Sequence, residues 1–177
     1  MRTKVKIVEQ YLNYSPPVEV YSSIRLLLRH VPEEHLEGLQ KIVLTNSASL
    51  LESFKGKYPA GERRIRAADA RGIYLNHKIA LVMDKILNQY PEVLLLLPMF
   101  KTYAIGEVLY HEIGHHIHRR EQPGYRANKE EVADEWRDKL LKDFLWKRYW
   151  YLAYALRPYV KLVHPQVLKL MPRLARR

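Results

Sequence analysis

The residues best suited to chemistry are His111-Glu112-Ile113-Gly114-His115, an H-E-x-x-H pattern, and Glu130-Glu131-Val132-Ala133-Asp134, an E-x-x-A-D pattern that begins fifteen residues after His115. On a helix, residues four apart are separated by about 40° around the axis, so His111 and His115 project from one face. Two imidazoles so placed suit one tetrahedral zinc, with Glu112, one residue round the helix, beside the water that such a zinc carries. A carboxylate from a second helix would complete three protein ligands and leave the fourth position for water. Glu130 and Asp134 are themselves i, i+4, so one can bind metal while the other reaches a ligand histidine through its free ring nitrogen. Glu131 competes with Glu130 for the ligand role. His116 and His118 lie outside the pattern. His118 falls on the His111 face one turn beyond His115, where a histidine reads as a surface residue or as a support to the ligands. The chemistry this set points to is metal-assisted hydrolysis.

The elements that must position these residues follow from periodicity and punctuation. Pro98 starts a long helix to about Arg119, with Ile105, Leu109, Ile113 and Ile117 as an i, i+4 stripe for the core. The H-E-x-x-H motif lies inside it. Gly114 costs that helix about 1 kcal/mol relative to Ala, which close approach of another backbone would offset. Gln122-Pro123-Gly124 ends the helix and turns the chain. Asn128 is placed to cap a further long helix whose acidic first turn, Glu130 and Glu131, suits the helix dipole. Val132, Trp136, Leu140 and Phe144 then lie on one face.

Upstream, Pro16-Pro17 precedes a helix over Val18–His30, and Pro32 opens a short helical turn ending near Gly38. Lys41–Thr45 (KIVLT) is rich in β-branched residues and reads as a strand. Leu51–Glu62, with Gly56, Pro59 and Gly61, reads as a loop. Arg64–Ala70 and Gly72–Asn76 read as two short strands, or one with a bulge at Arg71-Gly72, and His77–Gln89 as a helix broken at Pro91. As a sheet edge over a cleft, Gly72–Leu75 could take an extended peptide by strand addition; the same residues equally suit an ordinary edge strand. Leu145–Leu156 is aromatic-rich, and Pro158, Pro165 and Pro172 divide the remainder into short helical pieces. The fold class expected is α+β, a small sheet flanked by helices, with residues 1–150 as the domain and 151–177 as a basic, aromatic helical extension.

A chain of 177 residues is most simply one domain, long enough to bury a core unaided. It has no cysteine, which excludes a disulfide framework and a thiolate metal site, so any zinc must use nitrogen and oxygen ligands. MRTKVKIVEQYLNYSPP lacks the apolar core of a signal peptide. The longest apolar run, Val93–Phe100, is eight residues broken by Pro98, short of the ~20 that span a bilayer. A soluble, cytoplasmic protein is expected. The net charge of +11 is concentrated: from Arg137 onward eleven Lys or Arg face two acidic residues, leaving +2 for the first 136 residues. A nearly neutral body with a basic tail suggests an anionic partner (nucleic acid, membrane headgroups or an acidic protein) or a solvated basic surface.

HEIGHH followed by EEVADEW resembles the gluzincin clan of zinc metallopeptidases, over about Glu107 to Trp136. The E-x-x-A-D form is most similar to the catalytic domains of CAAX-type and HtpX-like membrane endopeptidases and to the soluble minigluzincins that share their core. The resemblance implies a zincin-like fold with an active-site helix and a glutamate helix. It makes His111, His115 and Glu130 the zinc ligands, Glu130 being preferred to Glu131 because it stands four before Asp134. It makes Glu112 the general base and gives Asp134 the orientation of His111. The implied activity is that of a metallo-endopeptidase on a peptide or protein substrate: Glu112 takes the proton of the attacking water and passes it to the departing amine.

Tyr125, Arg126 and Tyr149 are candidates by type for an oxyanion donor. An alternative is a regulatory or binding protein on the same scaffold, acting through Lys147, Arg148, Arg157 and Lys161 interleaved with Trp150, Tyr151, Tyr154 and Tyr159. That interleaving suits nucleic acid or an anionic membrane surface, or else packs the tail onto the body. A third possibility is an extension that crosses the cleft and holds the peptidase latent. The presence of Glu112 favours the enzyme, because a purely structural zinc site needs no base.

Overall fold

In a computed structural model, residues 5–54, 69–121 and 128–163 are described. Among them the chain forms β1 (Lys6–Gln10), α1 (Tyr21–Leu28), α2 (Glu33–Leu36), β2 (Lys41–Thr45), α3 (Ser47–Phe54), β3 (Gly72–Leu75), β4 (Lys78–Val82), α4 (Met83–Leu87), α5 (Glu92–Leu95), α6 (Pro98–Glu121) and α7 (Lys129–Val163). The class is α+β. Two compact units divide the chain, Met1–Lys142 and Asp143–Arg177.

In the first unit a four-stranded mixed sheet has the order β1-β2-β4-β3. β1, β2 and β4 are parallel, with Lys6, Lys41 and Lys78 in register at their starts, and β3 is antiparallel to β4. The two central strands, KIVLT and KIALV, bury Ile42, Leu44, Ile79 and Leu81 completely, as strands flanked by partners on both sides do. Asn76 and His77 join β3 to β4 with φ of +48° and +60°, the left-handed pair that a tight two-residue hairpin needs. The Gln40 N–H donates to the His77 carbonyl at 2.9 Å and ties this turn to the start of β2.

Three expectations change here. His77–Gln89 is not one helix: its first half is the turn and β4, and only Met83–Leu87 is helical. A short apolar run carries no decisive period, and the ladders offered by β2 and β3 settle it as strand. The expected loop from Leu51 begins instead as the end of α3, whose first residue is held from a distance: the Asp84 carboxylate accepts from the Ser47 N–H at 3.0 Å. The remainder of that loop, 55–62, and most of the expected strand at Arg64–Ala70 lie outside the described residues. β1, unexpected from its alternation of charged and apolar residues, is added at one end of the sheet.

α6 packs against α1, α2, α4, α5, β3 and β4. Its stripe is buried as the period predicts: Ile105, Leu109 and Ile113 are fully buried and Ile117 nearly so. The Tyr110 hydroxyl donates to the Leu27 carbonyl at 3.1 Å, fixing the helix to α1.

α7 follows Asn128, whose φ is +56° and whose carbonyl accepts from the Val132 N–H at 3.0 Å. Its buried face centres on Ala133, Leu140 and Leu141, while Val132 and Trp136 are half-buried. Of the expected stripe Val132, Trp136, Leu140 and Phe144, the last two are buried and the first two only half-buried. Trp136 lies edge-on to His35 with centroids 4.6 Å apart, and its face carries the Lys139 ammonium at 4.2 Å.

In the second unit, helical geometry is interrupted at Tyr149 (φ −124°, ψ 18°), whose ring meets Phe144 edge-on at 6.0 Å. Among the described residues no helix is long and apolar enough to cross a membrane.

Candidate metal centre

α6 presents His111 and His115 one turn apart, with ring centroids separated by 4.7 Å. Their Nε2 atoms converge on one carboxylate oxygen of α7: Glu130 Oε2 lies 3.5 Å from His111 Nε2 and 3.4 Å from His115 Nε2. One donor atom from each of the three lies within 4.8 Å of the others, a group that could hold a metal ion. Glu130, not Glu131, brings its carboxylate to the histidines. The His111 Nδ1–H donates to Asp134 Oδ1 at 3.0 Å. A carboxylate can only accept, so the Nε2 lone pair of His111 faces the centre. Burial pushes the His115 imidazole below its usual range, partly opposed by the Glu130 carboxylate, and so favours the neutral form that binds metal.

The approach of α7 to α6 is set by Gly114. A Cβ there would stand 2.7 Å from Ala133 Cα and 2.8 Å from the Ala133 carbonyl oxygen. Only a glycine on α6, facing the fully buried Ala133 on α7, lets the backbones come this close. Ala133 thus sits between Glu130 and Asp134 as the contact that aims both at α6.

Glu112 occupies the inner wall. It is 5% exposed, and burial first, then the Glu130 carboxylate, push its carboxyl up to about 8, against a hydrogen bond from the Tyr74 backbone that lowers it. β3 crosses directly over it: a Cβ at Gly72 would lie 2.6 Å from Glu112 Oε1 and 2.7 Å from Val108 Cγ1. A cleft of about 240 Å³ opens beside this carboxyl, with Arg71, Gly72, Glu107, His111, Asp134 and Arg137 in its lining.

The two histidines outside the motif are buried rather than at the surface, and neither joins the ligand group. His116 donates through Nε2 to the Glu37 carbonyl at 3.0 Å and accepts at Nδ1 from the Tyr74 hydroxyl at 3.0 Å. It therefore couples β3 and the segment after α2 to α6. Of the residues suggested by type as oxyanion donors, Tyr125 and Arg126 lie outside the described residues, and Tyr149 is buried in the second unit.

Sequence reasoning missed the two guanidinium groups of the cleft. Arg137 donates to Asp134 Oδ1 at 2.7 Å and pairs with Asp138 at 2.9 Å; its signal was the i, i+3 spacing from Asp134. Arg71 stands 3.8 Å from Glu107 and had no local signal beyond its place before Gly72.

The chain matches no protein-family model, and neither curated proteins nor solved structures are significantly similar to it.

Proposed function

We propose that the chain is a zinc-dependent metallo-endopeptidase of the gluzincin type, with His111, His115 and Glu130 as ligands and Glu112 as general base. The observation that carries this reading is the convergence of both Nε2 atoms on one Glu130 oxygen beside a buried carboxyl that no ligand role needs. Donors at zinc-ligand distances in a tetrahedron stand about 3.3 Å apart, and the two histidine-to-carboxylate separations, 3.5 and 3.4 Å, are close to that spacing. Two nitrogens and one carboxylate oxygen are also the donor set a cysteine-free chain must use. Zinc, when bound, supplies a Lewis acid that acidifies water and polarises a carbonyl.

The remaining work falls to side chains. Burial gives Glu112 an unusually high proton affinity, which suits a group that accepts a proton from the attacking water and returns it to the leaving amine. Asp134 holds His111 in one tautomer and one ring orientation, and Arg137 holds Asp134. β3, last in the strand order, brings Gly72 into the lining of the cleft, where a strand edge suits an extended peptide. Arg71 and Arg137 line the cleft as donors for substrate carbonyl or carboxylate oxygens.

The test compares wild type with Glu112→Ala on an unstructured protein substrate, with zinc content measured in both. The expected result is chelator-sensitive proteolysis that falls on the order of 10²–10⁴-fold in the variant, at equal zinc content. Equal, chelator-insensitive turnover in the two proteins would rule the peptidase out.

A further inference from the structure

His116 is the histidine of the HEIGHH run that the proposed centre does not use. It is fully buried, and both ring nitrogens are committed, Nε2 to the Glu37 carbonyl and Nδ1 to the Tyr74 hydroxyl. The Tyr74 ring also lies edge-on to the imidazole, with centroids 5.5 Å apart. The Glu37 end is held independently of His116. One turn further along α6, Arg120 donates to Glu37 Oε2 at 3.1 Å and to the Glu34 carbonyl. An apolar side chain would fill this space with no need of partners. A buried imidazole bonded at both ends fixes a direction as well as a volume.

The Tyr74 end leads to Glu112. The Val82 N–H donates to the Arg71 carbonyl at 2.8 Å, and Ile73 stands opposite Ala80 and Leu75 opposite Lys78. Hydrogen-bonded pairs alternate along an antiparallel ladder. Residues 71, 73 and 75 therefore turn their backbone groups to β4, while Gly72 and Tyr74 turn theirs away from it. On that outer side stands Glu112, which takes a backbone hydrogen bond from Tyr74 and lies against the Cα of Gly72. Tyr74 thus faces Glu112 with its N–H and His116 with its hydroxyl.

We propose that His116 is a positioning residue for Glu112, acting through Tyr74: it anchors the Tyr74 hydroxyl and so keeps the Tyr74 N–H aimed at the Glu112 carboxyl. A general base works from one orientation, and small displacements of such a group are costly to rate. A carboxyl held through one oxygen by a fixed N–H keeps its other oxygen for the proton in transfer. The catalytic meaning of this role rests on the peptidase reading; the hydrogen-bonded chain from Glu37 through His116 and Tyr74 to Glu112 does not.

The experiment uses the full chain and reads the residue-74 amide and turnover separately. Tyr74→Phe removes one hydroxyl and keeps the ring; His116→Leu removes both ring nitrogens. In proton–nitrogen correlation spectra both variants should move the residue-74 amide proton upfield and speed its exchange with deuterium, as Glu112→Ala does. The double variant should do no more than either single one, because both break the same bond. In the zinc-loaded protein kcat should fall about 10–100-fold, with KM and zinc content unchanged. Added to Glu112→Ala, Tyr74→Phe should cost nothing further. An unmoved residue-74 amide in Tyr74→Phe overturns the proposal, and this variant decides the matter if His116→Leu does not fold. So does a rise in KM at constant kcat, or an equal loss in the Glu112→Ala background. An amide that responds as expected in a protein without proteolysis sustains the positioning and sinks the peptidase reading alone.

Discussion

Along α6 the groups of the candidate centre sit in packed surroundings, whereas along α7 they stand at the surface. Glu112 is 5% exposed, and the side chains of His111 and His115 are 23% and 17% exposed. The Glu130 and Asp134 side chains are 64% and 49% exposed. The α6 half is therefore held by the core that buries Ile105, Leu109, Ile113 and Ile117. The α7 half is aimed by one backbone contact, Gly114 on Ala133, and by charge pairs in solvent, which are individually weak. The difference teaches that the histidine half is held in place by the core, whereas the glutamate half depends on one close backbone contact.

The largest effect expected from this asymmetry is loss of metal. His115→Ala should reduce zinc affinity by more than ~100-fold, exceeding what loss of a supporting hydrogen bond brings, as measured by competition with a chromogenic chelator. Glu130→Ala should do the same and Glu131→Ala should not; an unaffected Glu130→Ala protein would remove α7 from the centre. Next comes Asp134→Asn, which leaves the ligands intact but loosens the His111 tautomer. Zinc affinity should fall about 10–100-fold, and an unchanged affinity would show that Asp134 is only a partner for Arg137.

A third test addresses the contact that joins the halves. Gly114→Ala places a methyl group against Ala133 backbone that cannot swing aside, so thermal unfolding should report a loss of about 1–3 kcal/mol together with weaker zinc binding. Full retention of both would mean that α7 is positioned by something other than this approach.

The smallest effect is the pH dependence of the metal-free protein. Glu112 is raised to about 8 from an ordinary value of 4.5, mainly by burial, so the folded state binds the proton more tightly than the unfolded state does. Its stabilising contribution is present in full below about 4.5 and is lost as pH rises toward 8. Glu112→Gln, which mimics the protonated form, should then be the more stable protein at pH 8 and equal to wild type at pH 4. Parallel stability curves across that window would show that the carboxyl carries no such proton.

Much of the α6 half was legible because helical geometry is local. The four-residue spacing of His111 and His115, the isoleucine and leucine stripe and the misfit glycine at 114 all follow from a period that needs no knowledge of the rest of the chain. KIVLT was legible as a strand for the same reason, while KIALV was not, since a short apolar run takes its state from the neighbours that pair with it.

What the chain determined by itself was the donor set, its spacing and the exclusion of thiolate chemistry. Only the tertiary structure decided which carboxylate meets the histidines. Glu130 and Glu131 lie about 100° apart around a helix, and the rotation of α7 is fixed by Ala133 seated on Gly114. It also decided the burial that raises Glu112 beneath β3, the Asp84 cap on Ser47, 37 residues away, and the His116–Glu37 bond, 79 residues apart. Such facts depend on long-range packing, where the position of one element is set by what the others leave room for, and no local period encodes it.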